Sequence, residues 1–128
     1  MPVEPLVTVL LSTHNDLRFL PQAVESILSQ SFGDFEFLII DDGSTDGTTE
    51  YLSSVSGEDP RVRVLSNERN IGLTRSLNLG LGSARGRFLA RMDADDVSAP
   101  QRLARQVTFL ERNSDVGVVG SSRTLCPP

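Results

Sequence analysis

Three apolar runs limit what this chain can fold into: Leu6 to Leu11, Phe35 to Ile40 and Phe88 to Met92, each breaking off abruptly in a polar cluster. Short runs of leucine, isoleucine, valine and phenylalanine bounded by turn formers read as buried strands. Between them the hydrophobic period changes. Leu20, Ala23, Val24, Ile27 and Leu28 fall at helical spacing behind Pro21, which a first turn tolerates, and predict a helix to about Gln30. A short helix from Thr49 to Ser54 and a brief strand from Arg61 to Leu65 follow. Leu73, Leu77, Gly80, Leu81 and Ala84 then form the inner stripe of another helix, with Gly86 as its C-cap. Ser98 and Pro100 open a last helix that turns Leu103, Val107 and Leu110 inward, and Val116 to Val119 is expected to form a final strand.

Strands alternating with helices predict the α/β class, a mostly parallel sheet flanked by helices. At 128 residues the chain is expected to be a single domain over 1–128. In a parallel sheet every carboxyl end lies on one edge, where ligands bind. Four polar clusters far apart in sequence therefore converge on one rim: Ser12 to Asp16, Asp41 to Asp46, Asn67 to Asn70 and Asp93 to Asp96.

Composition removes several function classes. A net charge of −5 argues against a nucleic-acid surface. All 12 cationic side chains are arginine, which excludes Schiff-base chemistry and a P-loop lysine. The same lack of lysine disfavours a phosphoacceptor domain of the receiver type, which paired aspartates after a strand would otherwise suggest. One cysteine, Cys126, and one histidine, His14, cannot build a disulfide framework or a Cys/His zinc site, so a metal here must be bound by oxygen. No run is long enough to span a bilayer, and the N-terminus lacks the pattern of a secretory signal, so the expected location is the cytoplasm.

The cluster at Asp93, Asp95 and Asp96 places like charges side by side at a strand end, which calls for a cation or a donor-rich ligand. A divalent metal holding a diphosphate satisfies it. If the strand persists, alternation sends Asp93 and Asp95 to one side, and Asp96 is left to cap the next helix. Asp41 and Asp42 can accept from a base edge or a ribose, although a strand-to-helix turn uses the same residue types, with Asp46 or Ser44 as the cap. Ser12, Thr13 and His14 can meet a base edge, with His14 flat against the ring, or be solvated loop residues. Arg69 and Arg75 flank the third cluster, and either can pair with Asp42 or a phosphate; Arg69 fits better as a solvated loop charge. Ser12 and His14, near neighbours without a nucleophile elbow, do not make a hydrolase triad.

Together Thr8 to Asn15, Phe37 to Gly47, Asn70 to Gly72 and Gly86 to Asp96 resemble, in order, the motifs of the nucleotide-binding half of a family 2 glycosyltransferase with the Rossmann-like GT-A fold. The resemblance implies a nucleotide-diphosphate sugar donor, expected to be a UDP-sugar, with Mn²⁺ or Mg²⁺, and inverting transfer to an acceptor that is a saccharide, lipid or protein. It places Ser12, Thr13, His14, Asn15, Asp41, Asp42, Arg75, Asp93 and Ala94 against the nucleotide, and the metal on Asp95 with Asp93. His14 stands where the family often has a tyrosine. The family's catalytic carboxylate lies in an acceptor half with no match here. The expectation is therefore a truncated, donor-binding domain, inactive in isolation, with membrane association left open for the full-length protein. The alternative is a non-catalytic nucleotide-sugar-binding or assembly module.

Overall fold

Along residues 4–120, which the computed structural model describes, strands and helices alternate. In order they are β1 (Val7–Thr13), α1 (Leu20–Leu28), β2 (Phe35–Asp42), α2 (Thr48–Glu58), β3 (Val62–Asn67), α3 (Leu73–Ser83), β4 (Phe88–Asp93) and α4 (Arg102–Arg112). The strands form one parallel sheet in the order β3-β2-β1-β4. The chain therefore steps outward from β1 to β3 and returns across β1 to lay down β4. Right-handed crossovers make that reversal change the face on which the helix lies. The core divides accordingly. Leu20, Ala23, Val24 and Ile27 of α1, Leu52 of α2, and Leu103 and Val107 of α4 pack with Val9, Leu11, Phe37, Ile39 and Met92. On the opposite face Leu10, Leu38 and Ile40 lie under Leu77 of α3.

Covered on both faces, β1 and β2 read as continuous apolar runs. The edge strand β4 alternates instead: Ala90 and Met92 are buried, while Leu89 and Arg91 are exposed. No helix among the described residues is long and apolar enough to cross a membrane.

Several elements differ from their sequence reading. β1 and β2 run on through Ser12, Thr13, Asp41 and Asp42. α1 ends at Leu28, whereas α2 extends to Glu58. In α3, Leu73 and Leu81 are exposed, and the buried positions are Ser76 and Gly80. Small residues let this helix approach the sheet closely, with Gly80 against the Leu10 side chain. α4 begins at Arg102, beyond Ser98 and Pro100, and Leu110 is only partly buried. Residues 116–119 form no strand: a strand exists only as part of a ladder, nothing among the described residues pairs with them, and Val118 is 88% exposed. Cys126 lies outside the described residues.

Gly86 is not the C-cap of α3, a place taken by Ala84. Its N–H donates to the Thr8 Oγ1 at 2.8 Å, and a Cβ there would lie 2.6 Å from the Val7 carbonyl carbon. The backbone before β4 must pass this close to β1. Gly86→Ala is therefore expected to destabilise the fold by about 1–3 kcal/mol through overpacking. A lower urea midpoint at an unchanged m-value would show it.

Candidate functional site

The carboxyl ends of β1 and β4 meet where the strand order reverses, the usual position of a ligand crevice in an open α/β sheet. Ser12 stands in register with Asp93 on one side and Ile40 on the other, and Thr13 with Asp41. Four of the residues singled out from the sequence thus share one rim.

At the end of β4 the chain turns at once. The Asp96 N–H donates to the Asp93 carbonyl at 3.1 Å, which brings Asp96 back toward its neighbours. Asp93, Asp95 and Asp96 each offer a carboxylate oxygen, all within 4.8 Å of one another. Asp96 therefore belongs with the other two and does not cap α4, which starts at Arg102 with Gln101 before it. The side-to-side alternation assumed from sequence fails because the strand stops at Asp93. Ala94, between the carboxylates, is buried against the core and anchors the turn. Asp93 and Asp95 are exposed and Asp96 half-buried, and Arg91 reaches Asp93 at 3.5 Å in a solvent-exposed pair. Such a pair contributes little to stability.

An oxygen-only set of three carboxylates suits a hard divalent cation such as Mg²⁺ or Mn²⁺. Two oxygens on one such ion lie at most about 4.2 Å apart, twice the usual bond length, so small rotations of these side chains close the set. Asp93, Asp95 and Asp96 are the residues that would hold it.

The β1 end is fixed by β2 and the turn after it. His14 Nδ1 lies 2.7 Å from the Asp42 carbonyl. A carbonyl only accepts, so Nδ1 carries the proton, and Nε2 accepts from the Asn15 Nδ2 at 3.3 Å. Asn15, at φ 53°, takes the left-handed conformation that asparagine tolerates. Its Oδ1 accepts from the Thr45 N–H at 2.7 Å, and its own N–H donates to the Ser44 Oγ at 3.0 Å. The Thr13 hydroxyl donates to Asp16 Oδ2 at 3.0 Å. These contacts present the exposed His14 ring at the rim.

Asp41 and Asp42 are both buried, and both are used by the chain itself. Asp41 accepts from the Ser44 N–H at 3.2 Å and the Thr49 hydroxyl at 2.6 Å, while Asp46 accepts from the Thr48 N–H and hydroxyl from one position before Gly47, which takes the N-cap place of α2 instead of Asp46 or Ser44. Asp42 gathers the third cluster: Oδ1 accepts from Asn67 Nδ2 at 3.0 Å and the Ile71 N–H at 2.8 Å, Oδ2 from the Gly72 N–H at 2.9 Å. Burial alone would raise its pKa, but the Ile71, Asn67, Gly72 and Ser76 donors prevail and hold it below the ordinary aspartate value. Gly43, at φ 70°, lets the turn approach this loop, since a Cβ there would sit 2.6 Å from the Arg69 carbonyl carbon and the Asn70 nitrogen. Asp42→Ala strands these donors and is expected to cost about 1–3 kcal/mol, read from urea unfolding.

Neither Arg69 nor Arg75 pairs with Asp42; both are exposed, and neither forms an ion pair among the described residues. The group that sequence reasoning missed is Arg102. Its guanidinium, half-buried at the start of α4, reaches back to the Arg91 carbonyl at 2.9 Å and the Ser98 Oγ at 3.2 Å.

Residues 8–124 match the model of glycosyl transferase family 2. An uncharacterized glycosyltransferase of Haemophilus influenzae is 39% identical over 117 residues, which are 91% of this chain and 36% of that protein. The S. aureus TarS 1–349 structure in complex with UDP-GlcNAc superposes with a TM-score of 0.79 at 25% identity, covering 84% of this chain and 32% of TarS 1–349. The mannosyltransferase PcManGT of Pyrobaculum calidifontis, in complex with GDP-Man and Mn²⁺, gives 0.76 at 26% identity, with coverage of 84% and 33%. The chain thus spans about a third of the length of these relatives. A parallel sheet reversing at β1, a carboxylate turn at that reversal and a family match over most of the sequence agree: the chain belongs to glycosyl transferase family 2 and has the GT-A fold.

Proposed function

We propose that this chain forms the donor side of a glycosyltransferase, binding a nucleoside-diphosphate sugar together with a divalent cation. The observation that carries the reading is the convergence of Asp93, Asp95 and Asp96 at the carboxyl end of β4, beside Ser12. A cation bound there would link the carboxylates to the diphosphate and offset the charge on the departing nucleoside diphosphate. Asp95 and Asp93 are the principal ligands, and Asp96 completes the set. Ser12, Thr13, His14 and Asn15 line the base side, where His14 offers a ring face and its Nε2 faces Asn15.

Asp42 serves the base side through the loop it holds: with both oxygens engaged, it fixes Asn67, Ile71 and Gly72 at the start of α3, and Arg75 lies in the first turn of that helix. Asp41 shapes the opposite turn in the same way. Ala94 keeps the carboxylate turn against the core. The likeness to UDP-GlcNAc and GDP-Man complexes supports a nucleotide sugar as the ligand, and UDP is the first base to test. Transfer itself, with inversion onto an acceptor, is assigned to the parts of the relatives that this chain does not span.

Competition calorimetry with UDP, GDP and ADP in Mn²⁺ tests the nucleotide reading: one diphosphate should bind clearly more tightly than its monophosphate. Equal affinity for the two would contradict a site built around the diphosphate. The isolated chain should leave UDP-sugar donors untransferred, and robust transfer to any acceptor would reassign it as a complete enzyme.

A further inference from the structure

The turn from Asp93 to Ser98 carries three carboxylates whose mutual repulsion tends to splay it, and against that repulsion stand the backbone bond from Asp96 to Asp93 and the burial of Ala94. We propose that Arg102 is the positioning residue of this turn: by bridging β4 ahead of the carboxylates to Ser98 beyond them, it holds Asp96 beside Asp93 and Asp95. The inference rests on the reading of these carboxylates as a cation site.

Each nitrogen of the Arg102 guanidinium is engaged. Nη2 donates to the Arg91 carbonyl at 2.9 Å, Nη1 to the Ser98 Oγ at 3.2 Å, and Nε to the Gln106 Oε1 at 3.2 Å. The first lies two positions before Asp93 and the second two after Asp96, so one planar fork closes the segment that contains the carboxylates. Its geometry is that of arginine, since a lysine ammonium is a point charge on a flexible stem and cannot reproduce a rigid bridge.

Ser98 is a firm anchor. Its N–H donates to the Ser26 Oγ of α1 at 3.0 Å, and its hydroxyl reaches the Met92 sulfur at 3.7 Å. Buried Gln30, just beyond α1, secures the next stretch, donating to the Ala99 carbonyl at 2.7 Å and accepting the Leu103 N–H at 3.1 Å. Arg102 is therefore anchored at the α4 side and spans to Arg91 within β4, the edge strand of the sheet. Charge acts in the same direction. Burial lowers the affinity of Arg102 for its proton, and the negative charge of Asp96 works against that loss, so the two groups feel one another across the turn. A cation held there reduces repulsion among the carboxylates before any metal arrives.

The test compares wild type, Arg102→Ala, Arg102→Lys and Asp96→Asn, alone and combined. Amide hydrogen exchange of the metal-free proteins reads the turn, and Mn²⁺ alone, followed by electron paramagnetic resonance, reads the site. Both Arg102 variants should lose protection at the Asp96 and Ser98 amides while the Leu10 and Ile39 amides keep theirs. Mn²⁺ affinity should fall about tenfold, the lower end of the effect of losing a group that orients metal ligands, since Arg102 acts on them through the turn. In the Asp96→Asn background, Arg102→Ala should weaken Mn²⁺ binding no further, which a general loss of stability would not produce. Unchanged protection at Asp96, or an Arg102→Lys variant indistinguishable from wild type, would overturn the proposal. Should wild type take up no Mn²⁺, the cation reading fails, and the exchange data still decide whether Arg102 holds the turn.

Discussion

Glu36→Ala is expected to lower the unfolding free energy by about 2–4 kcal/mol, the largest loss of stability anticipated from a single side chain away from the site. Glu36 sits at the amino end of β2, only 7% exposed, on the face that α3 covers. The Thr8 hydroxyl donates to it at 2.6 Å, the Arg85 N–H at 2.6 Å and the Arg63 Nε at 3.2 Å. Thr8 in turn accepts the Gly86 N–H, so one carboxylate ties β1, β2, β3 and the approach to β4 together. Its removal leaves the Thr8 hydroxyl and the Arg85 N–H without their acceptor, and the Arg63 guanidinium with the Ser83 carbonyl alone. The range is set lower than the ~3–5 kcal/mol for breaking a fully buried ion pair, overlapping only its lower part, because the Arg63 side chain remains 31% exposed and can be hydrated. Glu36→Gln, which keeps one carbonyl oxygen, should lose less. Urea unfolding of the three proteins measures both differences.

The same group sets a pH dependence. Burial would raise the pKa of Glu36, but the Thr8 and Arg85 donors and the Arg63 charge outweigh it and hold the carboxyl below the ordinary glutamate value. A depressed folded-state pKa means that the unfolded chain binds the proton more readily. The contribution is therefore fully present above the ordinary value and is lost as pH falls through the folded one. Asp42 acts with the same sign. Stability should decline on acidification below the ordinary carboxylate range, and the decline should be shallower in Glu36→Gln. An equal slope in the two proteins would remove Glu36 from this account.

The strands most easily read from sequence were those buried on both faces. Phe35 to Ile40 is continuous and apolar because helices cover both sides of β2, and the polar residues that follow it read as its end. The ladder instead continues through Asp41 and Asp42, since backbone pairing is indifferent to the side chain it carries. The four rim clusters converge as a parallel topology requires. What sequence could not show is how the chain turns after them. Strand alternation carried past Asp93 separates Asp96 from Asp95, whereas the strand stops at Asp93 and the turn brings them together. Gln30 and Leu103, hydrogen-bonded across 73 positions, have no local signature, and Arg102 is an ordinary helix residue until its bond to Arg91 is seen. In the α3 stripe Leu77 and Gly80 face the sheet as their spacing implies, but Leu73 and Leu81 are exposed and Ser76, a small polar residue with no hydrophobic signal, is buried beside Gly80.

Asp95→Ala should have the largest functional effect. Asp95 is exposed, so its loss leaves no buried group unsatisfied and the fold should keep its stability within about 0.5 kcal/mol. Only the ligand set is reduced. Even outer-shell changes weaken metal sites by about 10–100-fold, so loss of a direct ligand should reach or exceed the upper end of that range. The decisive measurement is a calorimetric titration of UDP into wild type and Asp95→Ala, each with and without Mn²⁺. Binding in wild type that requires Mn²⁺ and is lost in a folded Asp95→Ala protein is the predicted result. Tight binding that needs no metal and survives the substitution would contradict it.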